Sequence, residues 1–275
     1  MNKNELISLG EKILKNSNIL SFRLDSEVIL SNVLNITREK LLIEEFNISD
    51  REIDKFKSLI ARRSRSEPIA YIFKKKEFRS VDLFVDNKSL IPRPETELLI
   101  DPLNKIFRNK SLFFLDAGLG TGCIAFSILN EISQSRGIGI DVSAHALRNA
   151  RINLKKFKNR VKIFRKSIEE IKNMRFDLIV SNPPYIAKRE INRLSSDIKK
   201  FEPRIALDGG NDGLDVIKKV IYKSKNILKS NGILALEIGT GQYLEVKKIL
   251  KANSFKTKVL IKDYKNNVRC IFSTL

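Results

Sequence analysis

The sequence predicts an α/β fold: an open, mostly parallel sheet covered on both faces by helices, preceded by a small helical domain. Three observations predict it. From about residue 96 onward, strand-like runs alternate with helical patterns, the signature of parallel strands joined by crossover helices. Residues 1–64 show helical spacing alone. The apolar run at 112–115 ends in a glycine-rich turn, so a loop opens at the carboxyl end of a strand, where sheets of this kind bind ligands.

In the helical region Leu6, Leu9, Ile13 and Leu14 share one face, as do Val28, Ile29, Val33 and Leu34, and then Ile53, Phe56 and Ile60. Asp25 precedes a helix-like run, and Ser49-Asp50-Arg51-Glu52 has the form of a capping box. Four or five helices are expected. Arg62, Arg63 and Arg65 read as a solvated helix face, with contact to a partner or a phosphate as the alternative. Pro68 breaks the helical pattern. Phe78, Val81, Leu83, Phe84 and Val85 then suggest strands around a short turn, and Asp86-Asn87 marks another turn. Pro94, followed by Glu95 and Glu97, suits the first turn of a helix. This stretch reads as a connector. Strand-like runs follow at 112–115, 138–140, 161–164, 178–180, 233–238, 258–261 and 268–272.

The chain has 275 residues, 52 of them Lys or Arg and 32 Asp or Glu, a net charge of +20. With 42% hydrophobic and 31% charged residues it is neither collagen-like, mucin-like nor mostly disordered. Cys123, Cys270 and the single His145 cannot make a disulfide framework, a structural zinc site or a histidine-based triad, and no metal is expected. Cys123 reads as a small packed residue and His145 as a surface or capping residue. No secretory signal is apparent, and no apolar run approaches the ~20 residues that cross a bilayer. A soluble, cytoplasmic protein is expected, without a membrane partner and as a monomer. The positive charge suits a nucleic-acid footprint, but the lysines are dispersed along the chain, as codon bias would leave them. Direct nucleic-acid binding is therefore possible and not favoured.

The glycine turn reads Asp116-Ala117-Gly118-Leu119-Gly120-Thr121-Gly122, before a helical pattern at 124–130. Glycines let backbone approach a ligand and turn tightly into a helix. Cys123 stands where a dinucleotide fingerprint needs a small residue, and no lysine follows as a P-loop requires. The G-x-G-x-G spacing after an acid resembles the S-adenosylmethionine loop of Rossmann-like methyltransferases. Asp116 suits the ammonium of the methionyl part. Asp141, at the end of the next strand, is placed to accept both ribose hydroxyls. A plain βα turn with a helix cap is the alternative.

The run Asp177 to Val180 leads into Ser181-Asn182-Pro183-Pro184-Tyr185. Consecutive prolines fix φ and remove donors, so this loop presents acceptors. The Asn182 side-chain oxygen and the Pro183 main-chain oxygen can each take one hydrogen of an NH2 group. An amide or exocyclic amine is a poor nucleophile. Two acceptors draw electron density to nitrogen and aim its lone pair, so catalysis is chiefly positioning and electrostatics. Tyr185 offers a flat face to a planar group. With the glycine loop, this combination is shared by methyltransferases of sp2 NH2 groups: adenine, guanine, cytosine or glutamine.

Further motifs narrow the choice. Arg63 with Glu67-Pro68-Ile69-Ala70-Tyr71-Ile72, then Ile91-Pro92-Arg93-Pro94-Glu95-Thr96-Glu97, Glu202-Pro203 with Ala206-Leu207, Gly210, Asp212-Gly213-Leu214-Asp215, and Glu237-Ile238-Gly239 with Gln242 run through almost the whole chain. Together they resemble the release factor glutamine methyltransferases, the PrmC/HemK family. The resemblance implies transfer of the methyl of S-adenosylmethionine, leaving S-adenosylhomocysteine, to the side-chain amide nitrogen of the glutamine in the Gly-Gly-Gln motif of peptide chain release factors. It implies a helical substrate-recognition domain at 1–72, a β-hairpin linker at 73–95 and a seven-stranded Rossmann-like methyltransferase domain at 96–275. It assigns Asp116, Gly118, Leu119, Gly120, Thr121, Gly122, Asp141, Ser167, Ile168 and Asn182 to the cofactor. Asn182, Pro183, Pro184 and Tyr185 go to the glutamine, with Asn182, Pro183 and Tyr185 catalytic. Arg93 and Glu95 belong to a connector that lines the cofactor pocket, with a solvated turn as the alternative. A nucleic-acid amino-methyltransferase is the competing function.

Three positions depart from the family pattern. Leu119 replaces a small or hydroxyl residue. Arg165-Lys166-Ser167-Ile168 replaces an acid beside the adenine, leaving Ser167 to meet the amine and Ile168 the ring. Lys74 stands where glycine is frequent. Glu237 reads as a buried structural acid.

Overall fold

The computed structural model describes residues 1–79 and 81–275, and the chain divides into two compact units. The first comprises Met1–Lys74 with Ser196–Phe201. Its helices are α1 (Lys3–Asn16), α2 (Phe22–Val33), α3 (Arg38–Ile43), α4 (Asp50–Ser64) and α5 (Ile69–Phe73). Capping boxes start α1 at Asn2 with Glu5 and α4 at Ser49 with Glu52, and the Thr37 side chain caps α3. Leu6, Leu14, Ile29, Leu30, Leu41, Phe56 and Ile60 form its core. Gly10 makes this packing possible: a Cβ there would stand 2.8 Å from Ser26 Oγ and 2.9 Å from Phe56 Cζ.

Two expectations for this unit are corrected. Asp25 does not precede a helix; α2 begins after Ser21, and Asp25 lies buried in its first turn. Arg63 is not on a solvated face. It is buried, and its Nε donates to Asp25 Oδ2 at 2.7 Å, because a guanidinium taken out of water needs a carboxylate partner. Arg62 instead grips Glu67 with two donors, at 2.8 and 2.5 Å. Lys74 ends α5 in the left-handed region at φ +54°, the backbone state that glycine adopts without strain.

The second unit comprises Lys75–Ser195 and Glu202–Leu275. It opens with an antiparallel hairpin, β1 (Lys75–Phe78) and β2 (Val81–Phe84), and a 3-10 turn over Pro94–Leu99. There follow α6 (Ile100–Phe107), β3 (Leu112–Ala117), α7 (Cys123–Glu131), β4 (Ser135–Asp141), α8 (Ala144–Asn153), β5 (Val161–Arg165), β6 (Phe176–Ser181) and α9 (Lys188–Ile191). After α10 (Ser196–Phe201), which belongs to the first unit, come α11 (Asp215–Ile227), β7 (Leu228–Glu237), α12 (Tyr243–Ala252), β8 (Lys256–Lys262) and β9 (Val268–Thr274). The seven expected runs fall on β3 to β9, with β7 ending one residue before Ile238.

The sheet order is β5-β4-β3-β6-β7-β9-β8, with β9 antiparallel to both neighbours. The chain moves outward from β3 through β4 to β5, then returns to place β6 on the other side of β3. The order thus reverses between β3 and β6, which opens a crevice beyond their carboxyl ends. One face of the sheet packs Phe114, Leu178 and Phe272 against Leu99, Ile124 and Leu147; the other packs Leu115, Ile179 and Leu236 against Ile217, Ile221 and Val246. The hairpin is fastened to this unit by α8. Asn153 Oδ1 accepts from the Phe84 N–H at 2.7 Å, and its Nδ2 donates to the Phe84 oxygen at 3.0 Å and the Thr121 oxygen at 2.9 Å. One side chain therefore ties β2 to the glycine turn. Among the described residues no helix is long and apolar enough to cross a membrane, and no group of three or more His, Cys, Asp or Glu could hold a metal ion.

Candidate active site

The glycine turn leaves β3 through left-handed backbone at Gly118, Gly120 and Gly122, with φ of +85°, +55° and +81°. L side chains rarely adopt that conformation, so bare backbone faces the crevice. The N–H groups of Gly118 and Leu119 both donate to the Ile140 oxygen, at 2.9 and 2.8 Å, and seat the turn on β4. Leu119 points down onto Gly139, where a Cβ would lie 2.7 Å from its methyl groups. The absence of a side chain at Gly139 is what lets this turn carry a leucine.

Asp141 faces the crevice from the end of β4. Its Oδ2 accepts from the Gly120 N–H at 2.9 Å and its Oδ1 from the Ser143 N–H at 2.8 Å. Burial raises its pKa, and these N–H donors oppose the rise. Asp116 is different. It is buried beneath the turn, its Oδ2 accepts from the Ala125 N–H at 3.1 Å in the first turn of α7, and its Oδ1 has no partner. Burial pushes its carboxyl well above the usual range.

The second loop begins at Ser181, whose Oγ donates to the Ala117 oxygen at 2.5 Å and joins the ends of β6 and β3. Asn182 Nδ2 donates to Thr96 Oγ1 at 3.0 Å, and Thr96 Oγ1 donates to Glu237 Oε2 at 2.6 Å. The Tyr185 hydroxyl donates to Glu237 Oε1 at 3.3 Å and accepts from Arg269 Nη2 at 3.0 Å. Glu237 is fully buried at the end of β7. Burial raises its pKa, with the Thr96 hydrogen bond, the Arg269 charge and the Tyr185 hydroxyl pulling it back. Tyr185 itself is pushed up to about 12, chiefly by burial, then by Glu237. Gln242 clamps the loop from behind: its Nε2 donates to the Tyr185 and Gly213 oxygens at 2.9 and 3.2 Å. Gly213, at φ +77°, has to be glycine, since a Cβ would stand 2.4 Å from the Tyr185 oxygen.

These loops wall a single cavity of about 620 Å³. Of the expected site residues, Gly118, Leu119, Gly120, Thr121, Asp141, Ser167, Ile168, Asn182, Pro183 and Pro184 line it. The Ser167 N–H donates to Glu170 Oε2 at 2.6 Å, which seats Ser167 at the start of the short 3-10 turn that carries Ile168. Three residues do not line it. Asp116 is turned beneath the glycine turn and caps α7. Gly122 caps α7 as well, against Leu154, which follows α8. Tyr185 is turned to Glu237 and Arg269, so its ring is not offered to the cavity as expected. Of the connector, Arg93 lines the cavity and Glu95 does not. Arg93 Nη2 donates to the buried Glu202 at 2.5 Å, a pairing that also accounts for the Glu202-Pro203 motif. Cys123 lines the wall with its thiol pushed up to about 12 by burial, which leaves it protonated and inert. His145 is exposed near the start of α8.

Comparison with known proteins shows the family of the chain. A family model described as PrmC N-terminal domain matches residues 5–73, and one described as methyltransferase small domain matches residues 94–198. A release factor glutamine methyltransferase of Buchnera aphidicola subsp. Schizaphis graminum is 40% identical over 270 residues, covering 96% of each chain. That of Clostridium acetobutylicum is 36% identical, covering 95% of this chain and 94% of its own. The chain belongs to the release factor glutamine methyltransferase family. Solved structures share its fold: a methyltransferase from Pyrococcus furiosus (TM-score 0.55, 18% identity, 78% of this chain and 98% of its own) and the hMettl16 catalytic domain (TM-score 0.56, 12% identity, 83% of each).

For a member of the release factor glutamine methyltransferase family, the cavity suits S-adenosylmethionine. Its volume fits a ligand of that size. The glycine turn is a cradle that side chains would fill, and Asp141 presents a carboxylate to hydroxyl donors. Lys88, Arg204 and Ile205 also line the wall and stood in no motif, while Thr96, Pro203 and Ala206 stood in motifs that gave them no role. Thr96 stood inside the connector motif, but nothing local distinguishes it from its neighbours. Its role depends on Glu237, which the fold brings from far along the chain.

Proposed function

We propose that this protein methylates the side-chain amide nitrogen of the glutamine in the Gly-Gly-Gln motif of peptide chain release factors, using S-adenosylmethionine. The observation that carries the reading is that Asn182 and Pro183 line the same cavity as the glycine turn and Asp141. An amide acceptor and a cofactor seat thus share one enclosed space.

In this reading the cofactor supplies an electrophilic methyl group on a sulfonium. Gly118, Leu119, Gly120 and Thr121 hold it by main chain, Asp141 accepts its ribose hydroxyls, and Ser167 and Ile168 meet its adenine. Asn182 Oδ1 and the Pro183 oxygen accept the two hydrogens of the glutamine amide. They orient the nitrogen and raise its electron density as the new bond forms. No strong base is needed before transfer. Asp116 and Gly122 support the turn, and Tyr185 supports Glu237, rather than touching either ligand. The first unit serves substrate recognition.

The test is incubation of the purified protein with labelled S-adenosylmethionine and a release factor. Label in the release factor, abolished by Gln→Ala in its Gly-Gly-Gln, is the expected result. Label in tRNA, rRNA or DNA instead would overturn the reading.

A further inference from the structure

A hydrogen-bond chain of fixed direction runs from the second unit's interior to the cavity wall. Arg269 Nη2 donates to the Tyr185 hydroxyl, which donates to Glu237 Oε1; Thr96 donates to Glu237 Oε2, and Asn182 donates to Thr96. The direction is forced. Glu237, ionised beside the Arg269 guanidinium, only accepts, and a threonine hydroxyl has one proton. With that proton committed to Glu237 at 2.6 Å, Thr96 can show Asn182 only a lone pair. The group facing Thr96 must then be the Asn182 NH2. Its Oδ1, on the other branch of the amide, takes no hydrogen bond within the described residues and is not sealed from solvent. An asparagine without such a partner can present either end of its amide, since oxygen and nitrogen are nearly the same size.

We propose that Thr96 and Glu237 are positioning residues that fix the Asn182 amide with its NH2 held inward and its Oδ1 turned to the cavity. The inference rests on the reading of Asn182 as the acceptor of the glutamine amide. An inverted Asn182 would offer a donor to a substrate that has only donors there, so the two NH2 groups would oppose each other. Thr96 and Glu237 are almost wholly buried, so water does not substitute for either.

Five variants test this, with turnover, KM for the release factor and the S-adenosylmethionine Kd measured for each. Thr96→Val keeps shape and removes the lone pair. It should lower kcat by about tenfold or more while leaving the cofactor Kd within about threefold. Thr96→Ser keeps the hydroxyl and should restore turnover, which a packing role would not predict. In single-turnover measurements the Thr96→Val/Asn182→Ala double variant should be no slower than Asn182→Ala, because Thr96 acts only through Asn182. Full turnover in Thr96→Val, or costs that multiply in the double variant, would overturn the inference while leaving the proposed function intact. Full turnover in Asn182→Ala would overturn both. Should Thr96→Val not fold, Glu237→Gln makes the same test. Arg269 and Tyr185 hold the glutamine oxygen on their side, its NH2 faces Thr96, and the chain reverses. Lost turnover with an unchanged cofactor Kd supports the inference, and retained turnover overturns it.

Discussion

Gln242 holds Tyr185 by the main chain: its Nε2 donates to the Tyr185 oxygen at 2.9 Å while its Oε1 accepts from the Gly239 N–H at 2.8 Å. With Gly213 as third partner, the amide uses its donors and its acceptor on three separate loops. Gln242→Glu keeps the size and reverses two of these contacts, setting a carboxylate against two carbonyl oxygens. Unfolding in urea should show a loss of about 2–3 kcal/mol, and turnover should fall with it. An unchanged unfolding midpoint would show that the loops are held by other means.

Asn182→Ala removes an acceptor from the cavity wall without touching the glycine turn. Turnover should drop by roughly 10²–10³-fold, as for loss of one preorganised polar contact. The cofactor Kd, read by calorimetry, should stay within a few-fold. A hundredfold weaker cofactor affinity would place the residue at the wrong ligand.

Asp141 gives a pH dependence with a definite sign. Burial raises its pKa, so it takes up a proton at a higher pH than an ordinary aspartate of about 3.9. Ribose hydroxyls need the ionised form. Cofactor affinity should therefore weaken as pH falls through the window between that raised value and the ordinary one, and a pH titration of the cofactor Kd should show it. Asp141→Asn should bind poorly with no such dependence. In the absence of cofactor the linkage runs the other way. The folded state holds this proton more tightly than the unfolded chain, so the contribution of Asp141 to stability declines as pH rises through the same window. Equal cofactor affinity across the range would remove Asp141 from the binding site.

Two predictions concern folding alone. Asp25→Ala would leave the buried Arg63 guanidinium without its carboxylate and should cost about 3–5 kcal/mol in chemical denaturation. A cost near zero would mean that the pair is hydrated in solution. Lys74→Gly relieves left-handed backbone at φ +54° and should raise stability by about 0.5–1 kcal/mol after allowing for the freer unfolded chain. Destabilisation would show that the lysine side chain contributes more than its backbone costs.

The fold was legible because its signals are local and repeated. Alternating apolar runs located all seven strands of the sheet, and Ser49-Asp50-Arg51-Glu52 marked the start of α4. The glycine turn and the Asn-Pro-Pro loop were legible because backbone exposure demands particular residue types. What was not legible is direction. Asp116 and Asp141 both stand near the carboxyl ends of their strands, but the pleat and the turn send one beneath the loop and the other into the cavity. Tyr185 follows two prolines that fix its backbone and leave its ring free to turn inward. Asp25 and Arg63 stand 38 positions apart, and only their shared burial makes them a pair. Thr96, Glu237 and Arg269 likewise meet only once β7 and β9 are side by side.

Leu119 and Gly139 are bound into one unit by their contact. A side chain at 139 would push against the Leu119 methyl groups, so what one position can carry depends on the size of the other. The seat of the cofactor turn is thus a two-residue fit, in which a large side chain above is balanced by none below.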